Sequence, residues 1–400
     1  MLAFVSYFYL SREDFLMNSS DSENEYISIN KDDKESCLQC HQDTKGYSSY
    51  HNPELIGCAS CHLGNTTSLD KEESHKGMVL IPGNLVDAST TCGKCHPNEL
   101  YKIENSLMTT NSGLVAVDKY IFGEADSPDS HYHIKDIQNS PADKHIRDLC
   151  ANCHLGAEKK EYGEITQLSR GGGCNACHLN YTEEAKNDLE NYISSEKKEL
   201  PKFHPSTDIF VKNEHCYGCH SRSSRISTNY EGWQETMLSE EEIIGNKNYK
   251  TVEDKRVYKY IEEDIHHTKG LLCVDCHSSH EVMGDGKKYT HEEQAVTLQC
   301  SDCHFKEKPT TISYDSLDAE SILVFLHRDY KHYDKEMIAV KKDNHPLVNT
   351  FIDAEGNAFL IGKKDGVLHH LNPQPEICSR DNAHKNVRHS PESPPPPQFD

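Results

Sequence analysis

Cysteine and histidine dominate the chemistry available to this chain. Of its 17 Cys, 16 fall in a Cys-x-x-Cys-His pattern that recurs eight times. The copies are Cys37-Cys40-His41, Cys58-Cys61-His62, Cys92-Cys95-His96, Cys150-Cys153-His154, Cys174-Cys177-His178, Cys216-Cys219-His220, Cys273-Cys276-His277 and Cys300-Cys303-His304. Two thiols at this spacing can add to the two vinyl groups of one haem as thioethers, and the next residue, His, then ligates the iron from below. The pattern therefore predicts eight covalently attached haems c, each with a proximal His. A disulfide framework has no use for a His after every second Cys, and structural zinc pairs Cys-x-x-Cys motifs without fixing a His there. A thioredoxin-like redox centre needs one motif beside a βαβ pattern, not eight. Cys378, in Glu-Ile-Cys-Ser-Arg, stands outside the pattern and reads as a free thiol or the remnant of a lost motif.

The occupant of each iron's sixth position separates electron transfer from catalysis. Between residues 37 and 304 the non-motif histidines are His51, His75, His131, His133, His145, His204, His215, His266, His267, His280 and His291, enough for bis-His ligation throughout. The expected distal set is His51, His75, His131, His145, His204, His215, His267, His280 and His291, with the pair His266-His267 just ahead of a motif and His133 read as solvated. Met78 and Met283 are weaker axial alternatives. Arg147, Arg170, Arg222 and Arg225 lie near motifs and could clamp haem propionates through paired hydrogen bonds.

What must position these residues is a chain of 400 residues with little apolar material. Only 35% of it is hydrophobic, its mean hydropathy is −0.77, and Asp+Glu exceed Lys+Arg by 65 to 42. Soluble domains are typically about 45–50% apolar when Gly is counted and Tyr omitted, and this chain falls short on that set too. An ordinary core cannot carry the fold, so the cofactor must supply buried surface. The net charge of −23 argues against nucleic-acid partners and anionic lipid. No window approaches the apolar length of a membrane span.

The organisation follows the motifs. Residues 1–36 form a signal-like or flexible segment whose apolar start lacks a basic leader and a small-residue cleavage site. Residues 37–308 form the haem-bearing domain, and 309–390 a haem-free mixed α/β tail with a Pro-rich, disordered end at 391–400. First-cysteine gaps of 21, 34, 58, 24, 42, 57 and 27 residues suggest a repeated three-motif unit over 37–149, 150–272 and 273–308, the last truncated. The expected fold is mainly α and coil, low in regular structure, with a small β-rich C-terminal segment. Thr182 caps a helix over 182–199, Ser239 with Glu242 boxes a short helix at 240–245, and 316–339 reads as a helix or helix pair with Ile322, Leu323, Leu326 and Tyr330 on one face. Turns at Glu355-Gly356-Asn357 and Lys364-Asp365-Gly366 predict a β-meander over 345–372.

Eight such motifs with paired close spacings resemble the octahaem c-type cytochromes, the superfamily that includes octahaem tetrathionate reductase and hydroxylamine oxidoreductase. The stretches Arg170-Gly171-Gly172-Gly173-Cys174, His220-Ser221-Arg222-Ser223-Ser224-Arg225-Ile226-Ser227 and Glu281-Val282-Met283-Gly284-Asp285-Gly286 look like those of multihaem cytochromes from metal- and sulfur-metabolising bacteria. The resemblance covers 37–304 and implies an exported protein, periplasmic or extracellular. Several reductases of this class place Lys at the proximal position of the catalytic haem, whereas all eight motifs here end in His. Hydroxylamine-oxidising relatives keep His and crosslink a Tyr to the active haem, and none of the 20 Tyr here can be singled out. The leading expectation is an electron carrier of mostly bis-His haems acting between redox-partner proteins or other cytochromes. The alternatives are an octahaem oxidoreductase acting on a nitrogen or sulfur compound (nitrite, hydroxylamine or tetrathionate) at one five-coordinate haem, and a self-associating subunit of an extracellular cytochrome filament.

Overall fold

The computed structural model describes residues 35–198, 200–221 and 226–371. The signal-like start, Arg222, Arg225, Cys378 and the Pro-rich end lie outside the described residues.

Short helices and four small sheets are joined by long irregular connections, and no barrel is present among the described residues. Regular structure is a low fraction of the described residues, helix with small sheets, and fits the expected mainly α and coil fold only loosely. The longer helices are α1 (Pro97–Asn105), α2 (Ser112–Ile121), α3 (Pro141–Leu149), α4 (Glu183–Ser194), α5 (Glu214–His220) and α6 (Ala319–His327). Thr182 caps α4 by accepting from Ala185 N at 3.2 Å, as its sequence predicts. The box at Ser239 also forms, with Ser239 N donating to Glu242 at 2.7 Å ahead of a single 3-10 turn, Glu240–Ile243.

The first sheet pairs β1 (Leu179–Asn180) with β2 (Ser206–Thr207). The second, absent from the sequence expectation, sets β5 (Val257–Tyr260) between β3 (Trp233–Glu235) and β4 (Tyr249–Thr251), all antiparallel. Val257 and Tyr258 are buried there, and Arg256 Nη1 donates to Ser221 O at 2.9 Å, so this sheet buttresses the residue that follows the sixth motif.

Residues 316–339 do not form a helix pair. Helix α6 stops at His327, Asp329 takes φ +55°, and the chain re-enters as the strand β7 (Met337–Ala339) between β6 (Thr311–Ile312) and β8 (Pro346–Leu347). Asp329 in the left-handed region breaks the helical path, and the fully buried run Met337-Ile338-Ala339-Val340 favours a pleated core position over a helix stripe. The buried anchor of α6 is Phe325, while Leu323 and Leu326 are exposed. The meander is as expected: β9 (Thr350–Ile352), β10 (Ala358–Ile361) and β11 (Leu368–Leu371) are antiparallel in the order β9-β10-β11.

Apolar burial is uneven. Among the described residues, 12 buried apolar side chains, five of them Ala, serve residues 35–304, whereas 13 serve 305–371. The C-terminal segment thus owns a conventional core, built on Ile338, Val340, Leu347, Leu360 and Phe325, and Leu298, Cys303 and Phe305 pack against it. The motif-bearing stretch does not. Its largest cluster of buried apolar residues is Val115, Ile134 and Ile146, packed against Cys150 and Ala151 of the fourth motif.

Candidate functional site

Every motif lies on or directly around a single helical turn. Six are α-helical, namely Ser36–Cys40, Ala59–His62, Asn175–His178, α5, Cys273–Cys276 and Cys300–Cys303, and two are 3-10 turns, Cys92–Lys94 and Ala151–Cys153. The His backbone N–H typically closes on the carbonyl of the first Cys, at 2.8 Å for His41 on Cys37 and 2.9 Å for His62 on Cys58 and His96 on Cys92. A three-residue separation on such a turn brings the two sulfurs to one side, with the imidazole beside them. The motif cysteines form no disulfides.

Two of these turns carry a built-in brace. Asp275 and Asp302 occupy the residue before the second Cys, and each accepts at 2.7 Å from the backbone N–H that precedes its own motif, Leu272 N and Gln299 N. The other oxygen reaches the C-terminal segment: Asp275 Oδ1 accepts from Lys363 N at 2.8 Å, and Asp302 Oδ1 from Lys341 N at 3.2 Å. The seventh and eighth motifs are thereby fastened to the one part of the chain with its own core.

Four motif histidines lie opposite a second histidine, three edge-on with ring planes 62–84° apart and one tilted at 43°. The centroid distances are 6.3 Å for His41 and His75, 6.0 Å for His62 and His204, 6.3 Å for His96 and His51, and 5.9 Å for His304 and His266. A metal–imidazole bond is about 2 Å, so two in line, with each ring centre one ring radius further out, separate the centroids by about 6 Å. The Nδ1 atoms are engaged away from this gap. His75 Nδ1 donates to Lys71 O (2.6 Å), His62 to Val79 O (2.8 Å), His204 to Pro205 O (2.6 Å), His51 to Thr207 O (3.1 Å) and His266 to Asp264 Oδ1 (2.8 Å). Such bonds fix the tautomer and leave Nε2 with the lone pair a metal needs. Burial holds His41, His51, His204 and His304 below the ordinary imidazole range, which keeps them neutral.

The remaining motif histidines follow the same rule where their bonds are defined. His154 Nδ1 donates to Ala151 O (2.6 Å) and His178 Nδ1 to Asp208 O (2.9 Å). His133, read from the sequence as solvated, lies near His154; burial pushes it down to about 4, and its Nδ1 accepts from Lys135 N at 3.1 Å.

Other expected distal residues have different surroundings. His280 Nε2 lies 3.4 Å from Asp318 and its ring stacks on His345, and His291 Nε2 meets Asp129 at 3.0 Å, so both ligating nitrogens face carboxylates. His215 Nε2 lies 3.3 Å from Leu179 O. His267 turns to Glu263 and leans edge-on against Tyr230, while its neighbour His266 takes the place opposite His304. His131 bonds through Nδ1 to Ser112 and Tyr289 O, and His145 through Nδ1 to Asp118 at 2.7 Å. Arg170 is committed to protein, with Nε donating to Gly218 O at 2.6 Å inside the sixth motif.

Most of the buried sulfurs are held as thiols, while Cys92, beside Cys174, and Cys273, beside Cys216, are pushed the other way by those neighbours. Burial pushes Cys58 and Cys303 up to about 12 and Cys177 and Cys276 up to about 11. A zinc-binding thiol is shifted the other way, and among the described residues no three His, Cys, Asp or Glu side chains converge on a point as a tetrahedral metal site requires.

Contacts between motifs define an order. Glu35 Oε2 accepts from Cys58 N at 2.7 Å, joining the first turn to the second. Cys61 is close enough to Cys92 and Cys95 to feel their charge. The Cys92 and Cys174 thiols hydrogen-bond, and Cys174 N donates to Gly83 O at 2.9 Å. Cys177 neighbours Cys216 and Cys219, Cys219 hydrogen-bonds Cys153, and Cys216 hydrogen-bonds Cys273, whose N–H donates to Asn213 Oδ1 at 2.9 Å. Cys276 neighbours Cys300 and Cys303. The turns thus adjoin in the line 1-2-3-5-6-7-8, and the fourth abuts the sixth from the side.

Compared with known protein families, curated proteins and solved structures, the chain matches none.

Proposed function

We propose that this chain is an exported electron carrier of the multihaem c type, holding eight haems through the sixteen motif cysteines and passing electrons between redox-partner proteins. The single observation that carries the reading is the set of four motif histidines that each face a second imidazole at 5.9–6.3 Å between centroids, with Nδ1 of the facing ring engaged elsewhere. That spacing suits one metal between two imidazoles and leaves the equatorial positions to a macrocycle. Three further observations support it. The sulfurs lie at thioether spacing on helical turns, the motif-bearing stretch is poor in buried apolar side chains, and the eight turns adjoin without a break.

Bound haem supplies reversible one-electron chemistry. The protein's own contributions are to fix the tautomer of the imidazoles whose Nδ1 is engaged and to set neighbouring attachment sites side by side. Paired imidazoles at four of the eight motifs suit a carrier at those centres, whereas an octahaem oxidoreductase needs one open position, and the spin state of the other four decides between them.

Intact mass spectrometry of protein matured in an exporting host, with a pyridine haemochrome assay, tests the reading. The expected result is eight covalent haems per chain and a low-spin electron-paramagnetic spectrum. A chain without covalent haem overturns the proposal, and a substantial high-spin signal overturns the carrier in favour of the oxidoreductase.

A further inference from the structure

We propose that Glu281 is a positioning residue that lowers the potential of the seventh centre, attached through Cys273 and Cys276 and ligated by His277. The inference rests on the eight-haem reading above and adds to it an energetic step within the relay.

The observation is a difference among the proximal imidazoles. His62, His154 and His178 each donate Nδ1 to a backbone carbonyl, of Val79, Ala151 and Asp208 respectively. His277 alone among these four donates to a carboxylate, Glu281 Oε2, at 2.9 Å. That carboxylate is built in: its side chain is 3% exposed. Its other oxygen accepts from Thr297 N at 2.7 Å, Leu298 N at 2.6 Å and Thr297 Oγ1 at 3.3 Å. Three donors on Oε1 leave Oε2 no freedom to leave the imidazole.

A carboxylate draws the Nδ1 proton more strongly than a carbonyl does, which raises the basicity of Nε2. A more basic ligand favours the oxidised metal, and the buried position of the Glu281 carboxylate limits screening on its side of the bond, while the His277 ring is 48% exposed. Other charges near the seventh motif offset one another: Lys363 donates through Nζ to Val274 O, while its backbone N–H meets the Asp275 carboxylate. The eighth centre has a carboxylate too, Asp264 on His266, but that side chain is 46% exposed and its influence is screened.

The test is a spectroelectrochemical titration of the mature protein against E281Q. Gln keeps its single oxygen for the Thr297 and Leu298 amides and turns toward His277 an NH2 group, which cannot accept from Nδ1. The expected result is that one of the eight midpoint potentials rises while the other seven stay in place. In the unmutated protein, the redox-difference infrared spectrum should show a carboxylate band moving with that same step. Eight unchanged potentials in E281Q, a uniform shift of all eight, or a shifted step without a carboxylate band each overturns the inference. The covalent mass separates the two levels: fewer than eight haems overturns the underlying reading, whereas eight attached haems with unmoved potentials overturns the role of Glu281 alone.

Discussion

His51 and His96 face each other at 6.3 Å, although His51 precedes the second motif and His96 closes the third. The upstream imidazole reaches past the second motif to lie opposite the histidine of the third, and its Nδ1 is anchored on Thr207 O, in strand β2. Removing it should therefore affect one centre only. In His51→Ala, about one eighth of the low-spin electron-paramagnetic signal is expected to convert to high-spin with eight haems still attached. His291→Ala, where Nε2 already meets Asp129, should leave the spectrum unchanged. Equal spectra for the two variants would contradict the pairing.

Much of this arrangement was legible in the sequence because it is local. A three-residue gap between thiols demands one helical turn, and all eight motifs take one. The caps at Thr182 and Ser239 satisfy backbone donors within three residues, so their geometry is written in the nearby chain. Of the histidines read as distal, His51, His75 and His204 lie opposite motif imidazoles.

What was not legible depends on distant partners. The choice of His266 over His267 is a matter of which side of one short helix meets His304, and adjacent residues on a helix point about 100° apart. Asp318 and Asp129, which engage Nε2 of His280 and His291, come from far along the chain. The end of α6 turned on Asp329 adopting a left-handed conformation, which no hydrophobic period encodes. Residues 233–260 gave no clear strand signal because only the central strand buries residues, Val257 and Tyr258.

The double role of Asp275 predicts a large effect from a small truncation. Asp275→Ala removes the acceptor for Leu272 N and strands the Lys363 N–H against the motif. A lost cap costs about 1 kcal/mol and an unsatisfied buried donor about 1–3 kcal/mol, so a loss of roughly 2–4 kcal/mol is expected. Chemical denaturation followed by fluorescence of the C-terminal tyrosines measures it, and a change below about 1 kcal/mol would show that the brace is dispensable.

The ion pair between Lys119 and Asp143, 2.6 Å apart, ties α2 to α3 beside the fourth motif. Burial opposes ionisation of Asp143, but Lys119 and the Gln138 N–H hold its carboxyl below the usual range. A depressed folded value gives stability that is full above the unfolded value of about 3.9 and is lost as pH falls through the folded one. The native protein should lose that contribution below about pH 4, whereas Asp143→Asn, weaker by roughly 2–4 kcal/mol at pH 7, should show a flatter dependence there. Parallel acid-unfolding curves for the two proteins would refute the assignment.

Phe325 is fully buried where α6 meets β7, in ring contact with Tyr314, Tyr330, His332 and Tyr333. Truncation to Ala should cost about 3–5 kcal/mol of cavity and transfer energy. Because the C-terminal core is separate from the sparse burial before it, the loss should appear as faster hydrogen exchange over 305–371, with the first five motifs unaffected.

The uneven burial makes the final prediction. If cofactor replaces side chains as the interior of the motif-bearing stretch, a chain produced in a cytoplasm without haem-attachment machinery should divide at the boundary where apolar burial begins. Residues 305–371, with 13 buried apolar side chains, contain enough of a core to retain some protection from hydrogen exchange, whereas 35–304, with 12 such residues of which five are Ala, should exchange at close to random-coil rates. The mature protein should be protected throughout. Uniform protection in the haem-free chain would mean that the polypeptide alone supplies the interior, and the argument from low hydrophobicity to cofactor would fail.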